Sequence, residues 1–234
     1  MIKETINKLH SELPATVKLV AVSKFHPFEA IEEAYETGQR IFAESRPQEL
    51  LAKVKRLEEI RAERGEQDYM SDIQWHFIGH LQTNKLKMVL PYVSLVQSVD
   101  SIRLLDAINT WGKANGRVIN VLLECFISGE ETKQGLSEQE LTDIISGEKT
   151  FENIRICGLM GMASFTEDET VIRADFQRLL DMQQLLHDWI GESPNVPSFC
   201  NELSFGMSGD YPIAVEMGST IVRIGSMIFG ERNY

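Results

Sequence analysis

The sequence predicts an α/β chain folded as a single (β/α)8 TIM-type barrel, on three observations. A short β-rich apolar run followed by an amphipathic helical run recurs eight times, from Lys18 to Gly230. Several of the β-rich runs are apolar on both sides rather than alternating, as parallel strands covered by helices should be. The 234 residues fall close to the roughly 250 that such a barrel uses as one unit, which leaves little for a second domain. The rival architecture is an open doubly wound sheet. It would carry a G-x-G-x-x-G loop after its first strand, whereas the first strand here runs into AVSKFHP.

Taken in order, residues 1–16 read as an N-terminal helix, polar and amphipathic. They show no apolar stretch with a small-residue cleavage site, so no secretory signal is expected. Strands are predicted at 18–24 (KLVAVSK), 40–45 (RIFAES), 72–79 (DIQWHFIG), 93–99 (VSLVQSV) and 119–127 (INVLLECFI). Three more follow at 154–162 (IRICGLMGM), 199–206 (FCNELSFG) and 221–230 (IVRIGSMIFG). Between them lie helical runs such as PFEAIEEAYETG, PQELLAKVKRLEEIRAERG and SIRLLDAINTWGKANG. The longest is ETVIRADFQRLLDMQQLLHDWIG. Several open on Ser, Asp or Pro and close on Gly, as helix termini should. The chain reads as one domain over residues 1–234, with no linker and no low-complexity segment.

Composition excludes several classes. A net charge of −12 argues against nucleic acid, whose phosphate backbone wants a basic face. A small anion is different, because a few local donors can bind it within an acidic protein. No apolar run approaches the roughly 20 residues of a membrane span. Cys125, Cys157 and Cys200 are odd in number, far apart and set in apolar runs. They read as buried free thiols of a reducing, cytoplasmic compartment, and no Cys/His spacing suits a metal.

In a (β/α)8 barrel the chemistry sits at the C-terminal ends of the strands. Lys24 closes the first strand. Desolvation there would lower its pKa and free a neutral amine to attack an aldehyde, although a solvated, snorkelling lysine is equally compatible with the position. The loops after the last two strands often bind phosphate. Ser204 and Ser226 offer hydroxyl donors there, and Gly225 would let the backbone come close. A plain turn is the alternative. Arg223, inside the last strand, must face a partner because it does not shed its charge; a core carboxylate is one candidate. His76 reads either as a core histidine with a satisfied hydrogen bond or as a residue near the site at the mouth. His80, Gln82, Asn84 and Lys85 read as shaping a loop, and Lys133 in GEETKQG as a loop lysine at the mouth.

Four segments then carry a resemblance: AVSK at the first strand, HFIGHLQTNK at 76–85, GLMGM at 158–162 and the C-terminal run SFGMSGDYPIAVEMGSTIVRIGSMIFGERNY. The chain resembles the YggS/PROSC-like pyridoxal phosphate (PLP) binding proteins from about Val17 to its end. That resemblance implies a barrel similar to the N-terminal domain of alanine racemase, with PLP as an imine on Lys24. It also implies that Ser204, Gly225 and Ser226 hold the phosphate, that Arg223 faces the pyridine nitrogen, and that Met207 belongs to the same cofactor-binding set. Ser45 stands where relatives carry an asparagine near the ring, and Phe126 stands where they carry another.

A permanently charged arginine at the pyridine nitrogen leaves it unprotonated and weakens the electron sink. The second base of alanine racemase comes from an additional domain, for which this sequence has no residues after its eighth strand. The expectation is therefore a monomeric PLP carrier of vitamin B6 homeostasis, with no catalytic residues and little or no turnover. It would hold the aldehyde and pass it to apo-enzymes, or limit free cofactor. The alternative is a weak PLP-dependent amino-acid racemase. A third reading, a cofactor-free lysine-imine aldolase acting on sugar phosphates, fits the anion site but not the length of the resemblance.

Overall fold

A computed structural model describes residues 1–129, 134–147 and 149–230. Eight parallel strands close into a barrel in sequence order, the first hydrogen-bonded to the last. Strand β1 is Lys18–Val22, β2 Ile41–Glu44, β3 Gln74–Phe77, β4 Val93–Val99, β5 Ile119–Cys125, β6 Ile154–Gly161, β7 Glu202–Ser204 and β8 Ile221–Ile224. Eight helices follow one per strand, after α1 (Ile2–Glu12): α2 Phe28–Tyr35, α3 Pro47–Arg64, α4 Leu86–Val89, α5 Ile102–Asn115, α6 Glu138–Ile145, α7 Glu169–Asp188, α8 Tyr211–Glu216 and α9 Ser226–Phe229. None of the described helices is long and apolar enough to cross a membrane.

The helix ends follow the sequence signals. The Ser101 hydroxyl accepts the Leu104 N–H at the start of α5, and Asp168 accepts the Thr170 N–H at the start of α7. A complete capping box joins Ser137 and Glu140 at α6. Gly65 and Gly116 end α3 and α5 in the left-handed conformation.

Each strand is apolar on both faces because two cores flank the sheet. One lies between strands and helices and takes Leu19, Ala21, Phe42, Phe77 and Leu123, among others. The other is the barrel lumen. It is filled by Val20, Val22, Ala43, Leu95, Leu122, Met160 and Ile221, residues that alternate along the strands with the first set.

Most strands end earlier than the sequence suggests. The largest difference is at the eighth, predicted to continue to Gly230 but ending at Ile224; residues 226–229 form α9 instead. Apolar character in SMIF reflects burial of Ile228 beneath a helical turn and the stacking of Phe229 on His26, not β pairing. Strand β7 likewise shortens from 199–206 to three residues, because Gly206 at φ 95° turns the chain out of the sheet.

A candidate cofactor site at the barrel mouth

The upper lumen is polar. His76 on β3, Gln97 on β4, Glu124 on β5, Ser204 on β7 and Arg223 on β8 are all buried. Four of them form one chain of hydrogen bonds. Arg223 Nη1 donates to Ser204 Oγ at 2.7 Å and to the Ser204 carbonyl at 2.8 Å. Ser204 Oγ donates to Gln97 Oε1 at 2.6 Å, and Gln97 Nε2 donates to His76 Nδ1 at 2.8 Å. Every donor points the same way, which assigns the His76 proton to Nε2. The second guanidinium nitrogen, Nη2, donates to the Gly161 carbonyl at 3.1 Å. Because Gly161 and Ser204 are the last residues of β6 and β7, the guanidinium lies at the floor of the mouth.

Burial sets the charge states. It pushes the His76 imidazole down to about 3, aided by the Lys18 cation, so the ring is neutral at pH 7. It lowers Arg223 to about 10, against the opposing pull of the Glu124 and Asp210 carboxylates, and the guanidinium stays cationic. Glu124 is raised to about 7 by burial and by Asp100, while Arg223 holds it down. The core-carboxylate alternative for Arg223 is thus met only through space. Its direct partners are a serine and two carbonyls. The expectation for His76 as a satisfied core histidine agrees with its place in the chain. His80 bonds Asp100 at 3.0 Å and belongs to the loop it was expected to shape.

Above this floor, β1 and β8 lie side by side. Their register sets Ala21 opposite Ile224, which brings the turn carrying Lys24 against the turn that starts at Gly225. A Cβ on Gly225 would stand 3.1 Å from the Val22 carbonyl oxygen and 3.3 Å from Val22 Cβ. The approach of the two strands therefore leaves a side chain at this position tightly confined. Ser226 is exposed and Lys24 half-buried. The loop after β7 completes the rim. Asp210 Oδ1 accepts the Met207 N–H at 2.5 Å and pins the turn, and the half-buried Ser208 hydroxyl accepts the Met227 N–H at 3.5 Å.

Strand order and register thus set the turns that carry Lys24, Met207 and Gly225–Ser226 at one end of the barrel, just past the strand residue Arg223. Ser45 lies across β1, on the β2 side, at the level set by the pairing of Val22 with Ala43. Ser204 is displaced from the place the sequence suggested. It is fully buried, and its hydroxyl is committed to Arg223 and Gln97, so it does not present a donor at the rim. Ser208 stands there instead. The motif SFGMSGD offers two serines four residues apart, and the short β7 with its turn at Gly206 sends the second one outward. Gln97 and Glu124 also escaped the sequence reading. Their signal was available, since each is a polar residue two positions past a lumen leucine, Leu95 or Leu122, in a largely apolar strand. Phe126 is partly exposed just beyond β5. Lys133 lies outside the described residues.

The profile of the family described as alanine racemase, N-terminal domain, matches residues 1–233. The chain belongs to this family. Within it, the chain is 37% identical over 217 residues to the pyridoxal phosphate homeostasis protein of Aquifex aeolicus, covering 93% of this chain and 88% of that protein. It is 39% identical over 241 residues to the human protein of the same description, covering 100% of this chain and 83% of that one. Among solved structures, PipY of Synechococcus elongatus with PLP bound superposes with a TM-score of 0.84 at 32% identity, covering 98% of this chain and 100% of PipY. Alanine racemase of Bartonella henselae superposes at 0.68 with 15% identity, which shows the shared barrel alone; the match covers 99% of this chain and 58% of the racemase.

Proposed function

We propose that this protein binds PLP at the barrel mouth through Lys24 and serves PLP homeostasis, holding the cofactor rather than turning over a substrate. What supports the reading is the pairing of β1 with β8, which carries the turn bearing Lys24 toward the turn that starts at Gly225, just past the strand residue whose guanidinium is buried, Arg223. The donor set fits a phosphorylated pyridine aldehyde. An amine stands at one edge for the aldehyde. The hydroxyls of Ser208 and Ser226 and nearby backbone N–H groups stand at another for the phosphate. A cation lies below for an acceptor nitrogen. Met207 and Ser45 would border the ring from opposite sides.

When bound, PLP supplies an aldehyde able to condense with primary amines and a ring able to withdraw electrons. The protein's own residues determine how far that chemistry goes. Arg223 can only donate, and the Ser204–Gln97–His76 chain behind it offers no proton path toward the mouth, since every donor runs inward from the guanidinium. Arg223 would therefore leave a ring nitrogen that faced it unprotonated, and the ring would withdraw electrons only weakly. Holding the aldehyde and releasing it to apo-enzymes is the activity this geometry favours. Weak racemisation of amino acids is the alternative, favoured by membership of the alanine racemase N-terminal domain family.

The test is an absorbance spectrum of PLP-loaded wild type beside Lys24→Ala, followed by L-alanine and a chiral assay. A visible band in wild type alone, with no D-alanine formed, is the expected result. Rapid D-alanine formation would transfer the conclusion to the racemase, and a band retained in Lys24→Ala would remove Lys24 as the anchor.

A further inference from the structure

We infer that Glu49 and Lys53 of α3, with Glu44 of β2, are positioning residues that clamp the turn bearing Lys24; the inference rests on Lys24 being the PLP anchor. The residues on either side of Lys24 are held by side chains from the 44–53 segment. Ser23 is fully buried. Its hydroxyl donates to Glu44 Oε1 at 2.6 Å, and its carbonyl accepts from Lys53 Nζ at 2.7 Å. Lys53 also donates to Glu44 Oε1 at 2.5 Å, so one buried lysine ties strand, turn and helix together. On the other side, Phe25 takes φ 68°, the left-handed region that a bulky side chain rarely adopts. Its N–H donates to Glu49 Oε2 at 3.0 Å, and its ring lies under the Arg46 guanidinium at 4.3 Å.

A generic ion pair would not need this arrangement. Lys53 is almost wholly buried beside Glu44, whose second carboxylate oxygen finds no partner among the described residues. Buried ionic groups left incompletely satisfied are a poor source of stability, so their presence calls for another explanation. Both ends of the cluster bear on the backbone atoms adjoining Lys24. Holding Ser23 and Phe25 fixes where the lysine Cα and its side chain start, and fixed geometry at a reacting amine is worth far more in rate and affinity than a surface contact. The hydrogen bonds of Glu49 and Lys53 to Phe25 and Ser23 bear on the turn, and through it on Lys24.

The experiment compares wild type, Glu49→Ala, Glu49→Gln, Lys53→Met and Lys24→Ala, each loaded with PLP. The readouts are the visible band, its rate of loss to excess hydroxylamine, and thermal melting. Gln retains an oxygen acceptor for the Phe25 N–H and should behave within about twofold of wild type. Glu49→Ala and Lys53→Met should lose the band between about tenfold and 10²-fold faster, at temperatures where both remain folded. Glu49 is partly exposed, so its variants keep the test alive should Lys53→Met fail to fold. Wild-type loss rates in Glu49→Ala, with no band in Lys24→Ala, would overturn the clamp while leaving the anchor standing. A band that survives in Lys24→Ala would overturn the anchor and the clamp with it.

Discussion

Replacing Ser204 and Ser208 separately by alanine should have opposite consequences, and the structure gives the size of each. Ser204→Ala deletes a buried hydroxyl that donates to Gln97 Oε1 at 2.6 Å and accepts from Arg223 Nη1 at 2.7 Å. Arg223 keeps the Ser204 carbonyl at 2.8 Å, so its loss is partial. Gln97 Oε1 is left buried without its donor, which costs about 1–3 kcal/mol. A chain of this length moves roughly 2–4 °C in Tm per kcal/mol, so a fall of about 4–8 °C is expected at the middle of that range. Ser208→Ala removes a half-buried hydroxyl with one long contact, and stability should stay within about 0.5 kcal/mol. Losing a charge-assisted bond to phosphate should instead weaken PLP by about 1.5–3 kcal/mol, or roughly 10- to 150-fold in Kd. The assay is an absorbance titration of each apo-protein with PLP and with pyridoxal, beside thermal melts. Only the PLP affinity should respond to Ser208→Ala, because pyridoxal lacks the phosphate. The reasoning fails if Ser204→Ala selectively weakens PLP over pyridoxal while Ser208→Ala leaves that ratio alone.

Two further outcomes follow from the lumen and the sheet. Glu124 is raised from an ordinary 4.5 to about 7, so the fold favours its protonated form. The stability this contributes is complete below about pH 4.5 and lost as pH rises through about 7, an amount of roughly 3 kcal/mol. Urea denaturation at pH 5 and pH 8 should show that loss in wild type and a much smaller one in Glu124→Gln; equal losses would contradict the assignment. Gly158 pairs with Glu202 across β6 and β7 at φ 149°, and a Cβ there would stand 1.9 Å from the Glu202 carbonyl oxygen. Gly158→Ala should therefore destabilise by upwards of about 3 kcal/mol, read by the same denaturation, since neither the backbone angle nor the facing strand can yield cheaply.

Periodicity was enough to determine the eight strand–helix units and the closed parallel barrel. The units carry local codes: apolar runs that are buried on both faces, and at several helix ends a Ser, Asp or Gly whose presence satisfies backbone groups. The same local logic put Lys24 at the end of the first strand and Arg223, Gly225 and Ser226 along the eighth. What it could not decide was depth and direction. Ser204 and Ser208 are both serines in one motif, and only the three-residue length of β7 and the turn at Gly206 put the first in the lumen and the second at the rim. The apolar SMIF segment reads as the end of the eighth strand, and only the neighbours that Ile228 and Phe229 find across the chain make it a helical turn. The same holds for the Arg223–Ser204–Gln97–His76 chain and for the Glu44–Lys53 clamp. The lumen chain joins Gln97 to Ser204 across 107 positions, and closure of the barrel is what brings them within hydrogen-bonding distance, whereas the clamp needs only β1, β2 and α3 to pack together.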